Sequence, residues 1–479
     1  MIAGAHALLS YATPIFALLA FSGASFYWVA APYDQMRIVQ IIVLLLLGGY
    51  TLIQRQPSAA LEKNTLSIGL WLLLGLVILS VYHSAEPAHA AADAALYGLL
   101  ATAVWAQSRL LRQHPSRANH LAALIALAPL LTLIYLPISF VIPVNSATGM
   151  SWHQSFSNIR MLDDALLPCL FLLWQRPAWL GNDPKNSTLD KRQLALTVGV
   201  TALSTLYLLA FFLDGSRAGL IAIALGLMTA ALVGSPWSRL RLPLGSLILA
   251  GSLYLLLNHL LPTLLAQDLI RTDSSLRDQL WQKALTLWQA HPLLGIGGDN
   301  FALAQPWLLN AHPHNLIVQL VSEWGIAGLL TLGLLIPLAR QLIKQRRTLP
   351  SFALAALVAV LFDSLLSGVL IYPLSQMLAL WVLAWLIAQL AQQAVQPTPR
   401  DTLHAHRINI KPYSVKALTL IAIITLLTIH GRDLGCIHCM SVDRENAPRF
   451  WQYGRALHLV PENNVSIVYD DPQPPIEHR

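Results

Sequence analysis

Apolar runs near 20 residues recur along the whole chain, separated by short polar loops that carry arginine and lysine. A membrane helix needs about 20 predominantly apolar residues, so this pattern predicts an all-α polytopic membrane protein. Thirteen spans follow from it: 7–30, 38–54, 66–82, 89–107, 120–142, 164–180, 193–213, 218–233, 243–261, 314–338, 351–371, 374–394 and 415–430. The first, from Ala7 to Ala30, is long and lacks a basic start, and reads as a retained helix rather than a cleaved signal. Residues 1–430 are therefore expected to form one membrane domain of about 12–13 helices, interrupted by a large loop at 262–313 and followed by a short tail at 431–479.

The 262–313 loop has its own pattern. Ser275 with Asp278 reads as a capping box that starts a helix through Leu280, Ala284 and Trp288, ending at His291 just before Pro292. Trp281 and Trp288 fall on one side, as expected for a helix lying at the lipid interface. Leu293-Leu294-Gly295-Ile296-Gly297-Gly298-Asp299-Asn300 then makes a tight turn. It is a weak phosphate-loop candidate, because no strand precedes it and the Walker lysine is missing. The other reading is a connector that brings Arg277 back over the membrane. In the tail, Phe450, Trp451, Tyr453, Leu457 and Leu459 supply a small apolar face. So short a segment needs a staple or a surface to dock on.

Composition agrees with this class. Of 479 residues 56% are hydrophobic and 11% charged, whereas a soluble protein carries about 25% charged residues. The formal net charge of +7 does not indicate nucleic acid, because the basic residues are dispersed among the membrane loops. Membrane lipid is the expected surrounding. With the N-terminus placed in the cytoplasm, the inside loops hold most of the basic residues, among them Arg109, Arg112, Arg117, Arg340, Lys344, Arg346 and Arg347. The outside loops before the tail hold Arg37, Arg160, Arg217, Arg271, Arg277 and Lys283. This asymmetry satisfies the positive-inside rule and puts the 262–313 loop and the tail on the outer face.

Cys169 stands alone in an apolar segment and reads as a small core residue. Cys436 and Cys439 form Cys-x-x-Cys in the tail. Zinc requires more ligands than this pair supplies. In an extracytoplasmic tail a structural disulfide is the preferred reading, with a redox centre or a metal site as alternatives.

The run His312-Pro313-His314-Asn315, with Gly325 and Gly328 after it, carries the candidate chemistry. In a continuous helix from 314, His314 and Gly325 are eleven residues and about 1100° apart, which puts them on nearly one face roughly 16 Å from each other. The glycines would admit a neighbouring helix while the imidazole faces the aqueous boundary. Pro313 suits the first helical position and makes His314 the second. There the positive end of the helix dipole keeps the imidazole neutral, able to accept a proton, and favours a nearby phosphate. The bland alternative is a histidine that anchors the helix. His312 either assists His314 or caps the helix.

Three arginines of the outer side sit in short distinctive contexts, and an anionic ligand is the inference from their convergence near His314. Arg217, in Asp214-Gly215-Ser216-Arg217-Ala218-Gly219, has Ser216 as its candidate N-cap; its alternative role is snorkelling at the boundary. Arg277 lies on the loop helix, where a solvated face is the alternative. Arg160 follows Asn158, and pairing with Asp163 or Asp164 would satisfy it without a ligand. Asp363 is expected within a span, about 12 Å from its outer end, where a carboxylate is either functional or paired. We assign it to orienting a catalytic group. Glu323 falls off the His314 face. There is no Gly-x-Ser-x-Gly elbow, His-Glu-x-x-His pair or Asp-x-Asp site, so a metal-independent, cofactor-free reaction is favoured, with arginines supplying positive charge.

These residues resemble the O-antigen ligase superfamily, which includes lipopolysaccharide O-antigen ligases, O-antigen polymerases and bacterial protein O-oligosaccharyltransferases such as pilin glycosyltransferases. The likeness is carried by Gly215-Ser216-Arg217-Ala218-Gly219, by Trp281 to Phe301 with His291-Pro292-Leu293-Leu294-Gly295-Ile296-Gly297, and by His314-Asn315 with Gly325 and Gly328, over about 210–330. It implies a GT-C-like, metal-independent inverting glycosyltransferase of the bacterial inner membrane, acting at the periplasmic face on a glycan linked to undecaprenyl diphosphate. Under it His314 becomes the base for the acceptor hydroxyl, and Arg217 and Arg277 the diphosphate-holding groups. Arg160, His312 and Asn315 are then expected at the substrate, with Gly325, Gly328, Cys436 and Cys439 structural; Arg160 and Asp363 match family positions less closely. A thirteenth span and a tail resemble the protein-directed branch, which implies serine or threonine of a pilin-like protein as acceptor. Lipid A–core is the alternative acceptor, and O-antigen polymerase or a non-enzymatic lipid-linked-glycan transporter are further alternatives.

Overall fold

A computed structural model of the protein describes residues 2–23, 32–54, 65–141, 153, 155–175, 191–261, 276–304, 311–393, 412–435 and 449–451. Among them every regular element is a helix. The N-terminal part holds α1 (Ile2–Ser10), α2 (Ala12–Ser22), α3 (Pro32–Ile53), α4 (Thr65–His83), α5 (Pro87–Gln113), α6 (Pro115–Leu127), α7 (Leu130–Leu133) and α8 (Tyr135–Val141). The centre holds α9 (Ile159–Trp174), α10 (Lys191–Asp214), α11 (Arg217–Leu232), α12 (Trp237–Leu260) and α13 (Arg277–Ala290). Then come α14 (Leu316–Trp324), α15 (Ile326–Lys344), α16 (Ser351–Asp363), α17 (Pro373–Gln393) and α18 (Pro412–Gly435).

Seven helical stretches among the described residues are long and apolar enough to cross a membrane, and four more are apolar but shorter. Large side chains such as Ile68, Trp71 and Leu72 on α4, Ile248, Leu249 and Leu255 on α12, and Ile421 and Ile424 on α18 are exposed. Such a belt suits lipid and not water. The protein is an all-α polytopic membrane protein.

Several expected spans are subdivided, each for a local reason. The run 120–142 is divided into α6, α7 and α8; Pro129, which has no N–H to donate, stands between the first two. The 314–338 span is two helices, because the backbone turns at Gly325 (φ 55°, ψ −129°). The 351–371 span is helical only to Asp363, whose carbonyl accepts the N–H groups of Leu366 (2.8 Å) and Ser367 (2.7 Å) in the turns that follow. Asp363 is thus at a helix end, not inside a span. Arg37, expected in an outer loop, lies in α3 and is buried.

The interior is built on α5, α9, α16 and α17. In α9 every residue from Leu162 to Trp174 is buried, as expected of a helix surrounded by others. Cys169 is among them, a buried free thiol as expected. Polar side chains bond across helices: Gln40 donates to Gln376 (2.8 Å), Gln107 to Thr13 (2.5 Å), and Thr102 meets Thr419 (3.0 Å). Gly226 brings α11 against α9 and α16; a methyl there would run into the Phe171 ring and meet the Ala355 carbonyl at 3.1 Å. That close approach brings the first turn of α11 near the start of α9 and the end of α16. The 431–479 tail is described only over 431–435 and 449–451; Cys436 and Cys439 lie outside the described residues.

Candidate active site

Five pieces of chain converge before α14: the start of α9 with Arg160, the α10–α11 corner with Asp214 and Arg217, the start of α13 with Arg277, the turn His312–Asn315, and the end of α16 with Asp363. Their ties are specific. Arg160 pairs with Asp214 at 3.0 Å, so its partner is neither Asp163 nor Asp164. The acidic residue comes from the Asp-Gly-Ser-Arg corner, which the α9–α10 packing places beside it. Asn158 caps α9, its side chain accepting the Arg160 N–H at 2.8 Å. Arg217 opens α11 after Ser216, although the Ser216 hydroxyl does not cap it. Asp363 hydrogen-bonds with Asp164, and Ser367 donates to both Asp164 oxygens at 2.9 Å. A hydrogen bond between two carboxyl groups needs a proton between them.

The histidine turn differs from expectation. Neither Pro313 nor His314 is helical: α14 starts at Leu316, because the Asn315 side chain is the N-cap and accepts the Val318 N–H at 3.1 Å. His314 adopts φ 52°, a left-handed conformation rare for residues other than glycine. It is held there by His312, whose Nδ1 accepts the His314 N–H at 3.1 Å, with the two rings 4.1 Å apart. Trp281 of α13 donates to the Pro313 carbonyl (2.9 Å). Leu316 donates to the Ser364 carbonyl (2.8 Å). Trp281 therefore docks on the turn and ties α13 to it. Arg277 starts α13 after Leu276, which is itself left-handed (φ 60°); Ser275 lies outside the described residues. The helix ends at Ala290 with His291 as its C-cap, close to the expected end.

Electrostatics follow from this packing. Burial pushes the His314 imidazole down to about 4, and the charges of Arg277 and Arg160 add to that. His312 is held well below the ordinary histidine range by burial, by His314 and by Arg449. Burial also lowers Arg277, helped by Arg160 and Arg217 and opposed by Asp363 and Asp164. So the ring stays neutral, as the sequence predicts, but through burial and neighbouring guanidinium groups rather than a position inside the helix. The Nε of Arg277 is buried without a hydrogen-bond partner among the described residues. Arg160, by contrast, keeps a third of its side chain accessible.

Gly325 and Gly328 do admit a close neighbour: at Gly325 it is the Leu293–Gly295 turn and not a helix, and at Gly328 it is the backbone of α14. A Cβ on Gly325 would stand 2.5 Å from the Leu293 carbonyl oxygen, and one on Gly328 would strike the Leu320 carbonyl of the preceding turn. The glycine-rich turn docks on the end of α14: Ile296 donates to the Ser322 carbonyl (3.0 Å), Gly297 to Glu323 (2.8 Å), and Ile326 to Leu293 (2.9 Å). With the Gly295, Ile296 and Gly297 N–H groups committed to carbonyls, the turn connects α13 to the end of α14.

A second charged cluster, absent from the sequence reading, lies at that end of α14. Arg449 is buried there. It pairs with Glu323 of α14, with Asp93 of α5 at 2.7 Å and with Asp299 of the glycine-rich turn at 3.8 Å. Among the described residues no group of three or more His, Cys, Asp or Glu is arranged to hold a metal ion.

Residues 202–333 match the O-antigen ligase family. Over that stretch the chain is similar to the O-antigen ligase family. No curated protein and no solved structure matches it. The matched stretch of this O-antigen ligase relative contains Arg217, Arg277, His312–Asn315, Gly325 and Gly328; Arg160, Asp363, Asp164 and Arg449 lie outside it. Asp164 and Asp214 were legible as acidic residues beside arginines. Arg449 gave no signal, because its partners are distant in sequence, 126 residues away at Glu323 and 356 at Asp93. That similarity supports a glycosyltransferase of the O-antigen ligase type, with a lipid-linked glycan and an acceptor as its partners in general.

Proposed function

We propose that this protein is a metal-independent, inverting glycosyltransferase that moves a glycan from undecaprenyl diphosphate to an acceptor hydroxyl at the periplasmic face of the bacterial inner membrane. The observation that carries it is the pairing of a neutral, partly accessible His314 with Arg277 and Arg160, whose charges act on that same ring. A neutral imidazole is able to take the acceptor proton as the oxygen attacks the anomeric carbon. Attack from the side opposite the diphosphate inverts that carbon. Arg217 and Arg277 hold the diphosphate and stabilise the charge that grows on it as the glycosidic bond breaks. The unpartnered Nε of Arg277 supports an anion there.

The remaining residues take positioning roles. Asp363, with Asp164, orients the arginine side of the site. Asn315 and His312 set the turn that presents His314, and Arg160 is anchored by Asp214 with its remaining donors accessible. For the acceptor, the span at α18 and the tail favour serine or threonine of a pilin-like protein over lipid A–core. A GT-C-like arrangement and the 431–479 tail on the periplasmic side belong to the same reading.

Purified protein given undecaprenyl-diphosphate glycan and an acceptor decides the reaction. Glycan transfer that is lost in His314→Ala is expected; lipid movement without transfer, unaffected by that substitution, overturns the enzyme. Pilin mass and lipopolysaccharide ladder compared in a deletion strain decide the acceptor: loss of the ladder with pilin unchanged overturns the protein-directed choice.

A further inference from the structure

Residues Arg449, Phe450 and Trp451 are bound by the membrane domain much as a peptide ligand would be. Tyr33 donates its hydroxyl to the Arg449 carbonyl (2.5 Å), and Arg37 Nε donates to the Phe450 carbonyl (3.1 Å). The Phe450 ring stacks on His430 of α18 at 4.1 Å and lies under the Arg37 guanidinium at 5.4 Å. Both aromatic rings are almost fully buried. The strap therefore brings its guanidinium to a fixed point, where Glu323, Asp93 and Asp299 receive it. One turn earlier on α14, Gln319 offers its amide to the same group: with the oxygen turned toward Arg449 it accepts from Nε and Nη2 at 3.2 Å.

Those partners belong to elements that the site depends on. Glu323 ends the nine-residue helix whose other end carries Asn315 and the histidine turn. Asp299 closes the glycine-rich turn that follows α13, which carries Arg277 and Trp281. Asp93 belongs to α5 in the interior. A helix of that length spans about 13 Å and moves as a rod, so fixing its C-terminal end fixes where its N-terminal end presents His314. We infer that Arg449 is a positioning residue for the histidine turn: through Glu323, Asp299 and Asp93 it clamps α14 and the glycine-rich turn to the interior. This rests on the transferase reading only for its effect on turnover.

The test uses the full chain in detergent or nanodiscs. Arg449→Gln removes the clamp; because it leaves carboxylates buried without their counter-ion, it is paired with Arg449→Gln/Asp93→Asn, which removes one positive and one negative charge together. Amide hydrogen exchange is expected to accelerate at 293–300 and 316–325 in both variants while α9 and α17 keep their protection. Glycan transfer is expected to lose about 10- to 100-fold in kcat with donor KM unchanged, the signature of a misplaced base. Wild-type exchange at those two segments in a folded variant overturns the proposal. So does exchange that rises equally in every helix of both variants, or local loosening with unchanged kcat. A wild-type protein that transfers no glycan sinks the transferase reading, and the exchange comparison then decides the clamp by itself.

Discussion

Two charged clusters stand at opposite ends of α14, and they are built on opposite plans. At the N-terminal end the carboxylates Asp163, Asp164, Asp214 and Asp363 are buried, while Arg160 and His314 stay partly accessible above them. At the C-terminal end both signs are buried together: Arg449 is closed over by Asp93, Glu323 and Asp299. A guanidinium that reaches the surface can meet a ligand, whereas one enclosed by carboxylates has only structure to hold. The difference teaches that arginine in a membrane protein is informative through whether carboxylates already satisfy its donors, not through its presence.

The comparison breaks first at His314. If the N-terminal cluster is the chemical one, His314→Ala lowers glycan transfer by about 10³-fold without moving the unfolding temperature, as expected of a general base. An equal loss of thermal stability would make the histidine a structural residue. Arg277→Met is next, with about 10²-fold lost from kcat. It also sharpens the electrostatics. The active imidazole is the unprotonated one, so kcat/KM falls as the pH drops through its value near 4. Removing the Arg277 charge eases protonation, so the acid limb moves upward toward the ordinary histidine value of about 6.5. A pH profile of kcat/KM for both proteins checks the sign; a limb that stays still or moves down contradicts it.

The C-terminal end, beyond the effect of its clamp on turnover, should answer in stability. Gly325→Ala puts a Cβ 2.5 Å from the Leu293 carbonyl at a residue with φ 55°. It is expected to cost about 1–3 kcal/mol, read as a lower midpoint of thermal unfolding. An unchanged midpoint would show that the α14–α15 break tolerates a side chain. Asn315→Ala is the mildest, at about 1 kcal/mol for a lost N-cap. Because that cap sits next to His314, kcat should fall more than stability does; the reverse order would place Asn315 with the scaffold alone.

Much of this was legible along the chain because it depends on local physics. Apolar runs of membrane length had to become buried or lipid-facing helices, and the Ser216–Arg217 corner opened α11 where its sequence said. The His314 ring was expected to be neutral, and burial does lower its pKa. The reason was not local, since Asn315 outcompeted Pro313 as the helix start and left His314 in a left-handed turn. Phe450 and Trp451 read as a docking face, and they do dock.

Sequence by itself determined the class of protein, the places of the apolar helical runs and the candidate residues for polar chemistry before α14, since hydrophobic burial acts over a few turns of chain. Tertiary structure alone decided which of those residues meet. Arg160 found Asp214 instead of its sequence neighbours, Gly325 met a glycine-rich turn instead of a helix, and Arg449 reached Asp93 and Glu323. Charges buried in a low-dielectric interior must be paired wherever the packing brings them together, and no spacing along the chain records that distance.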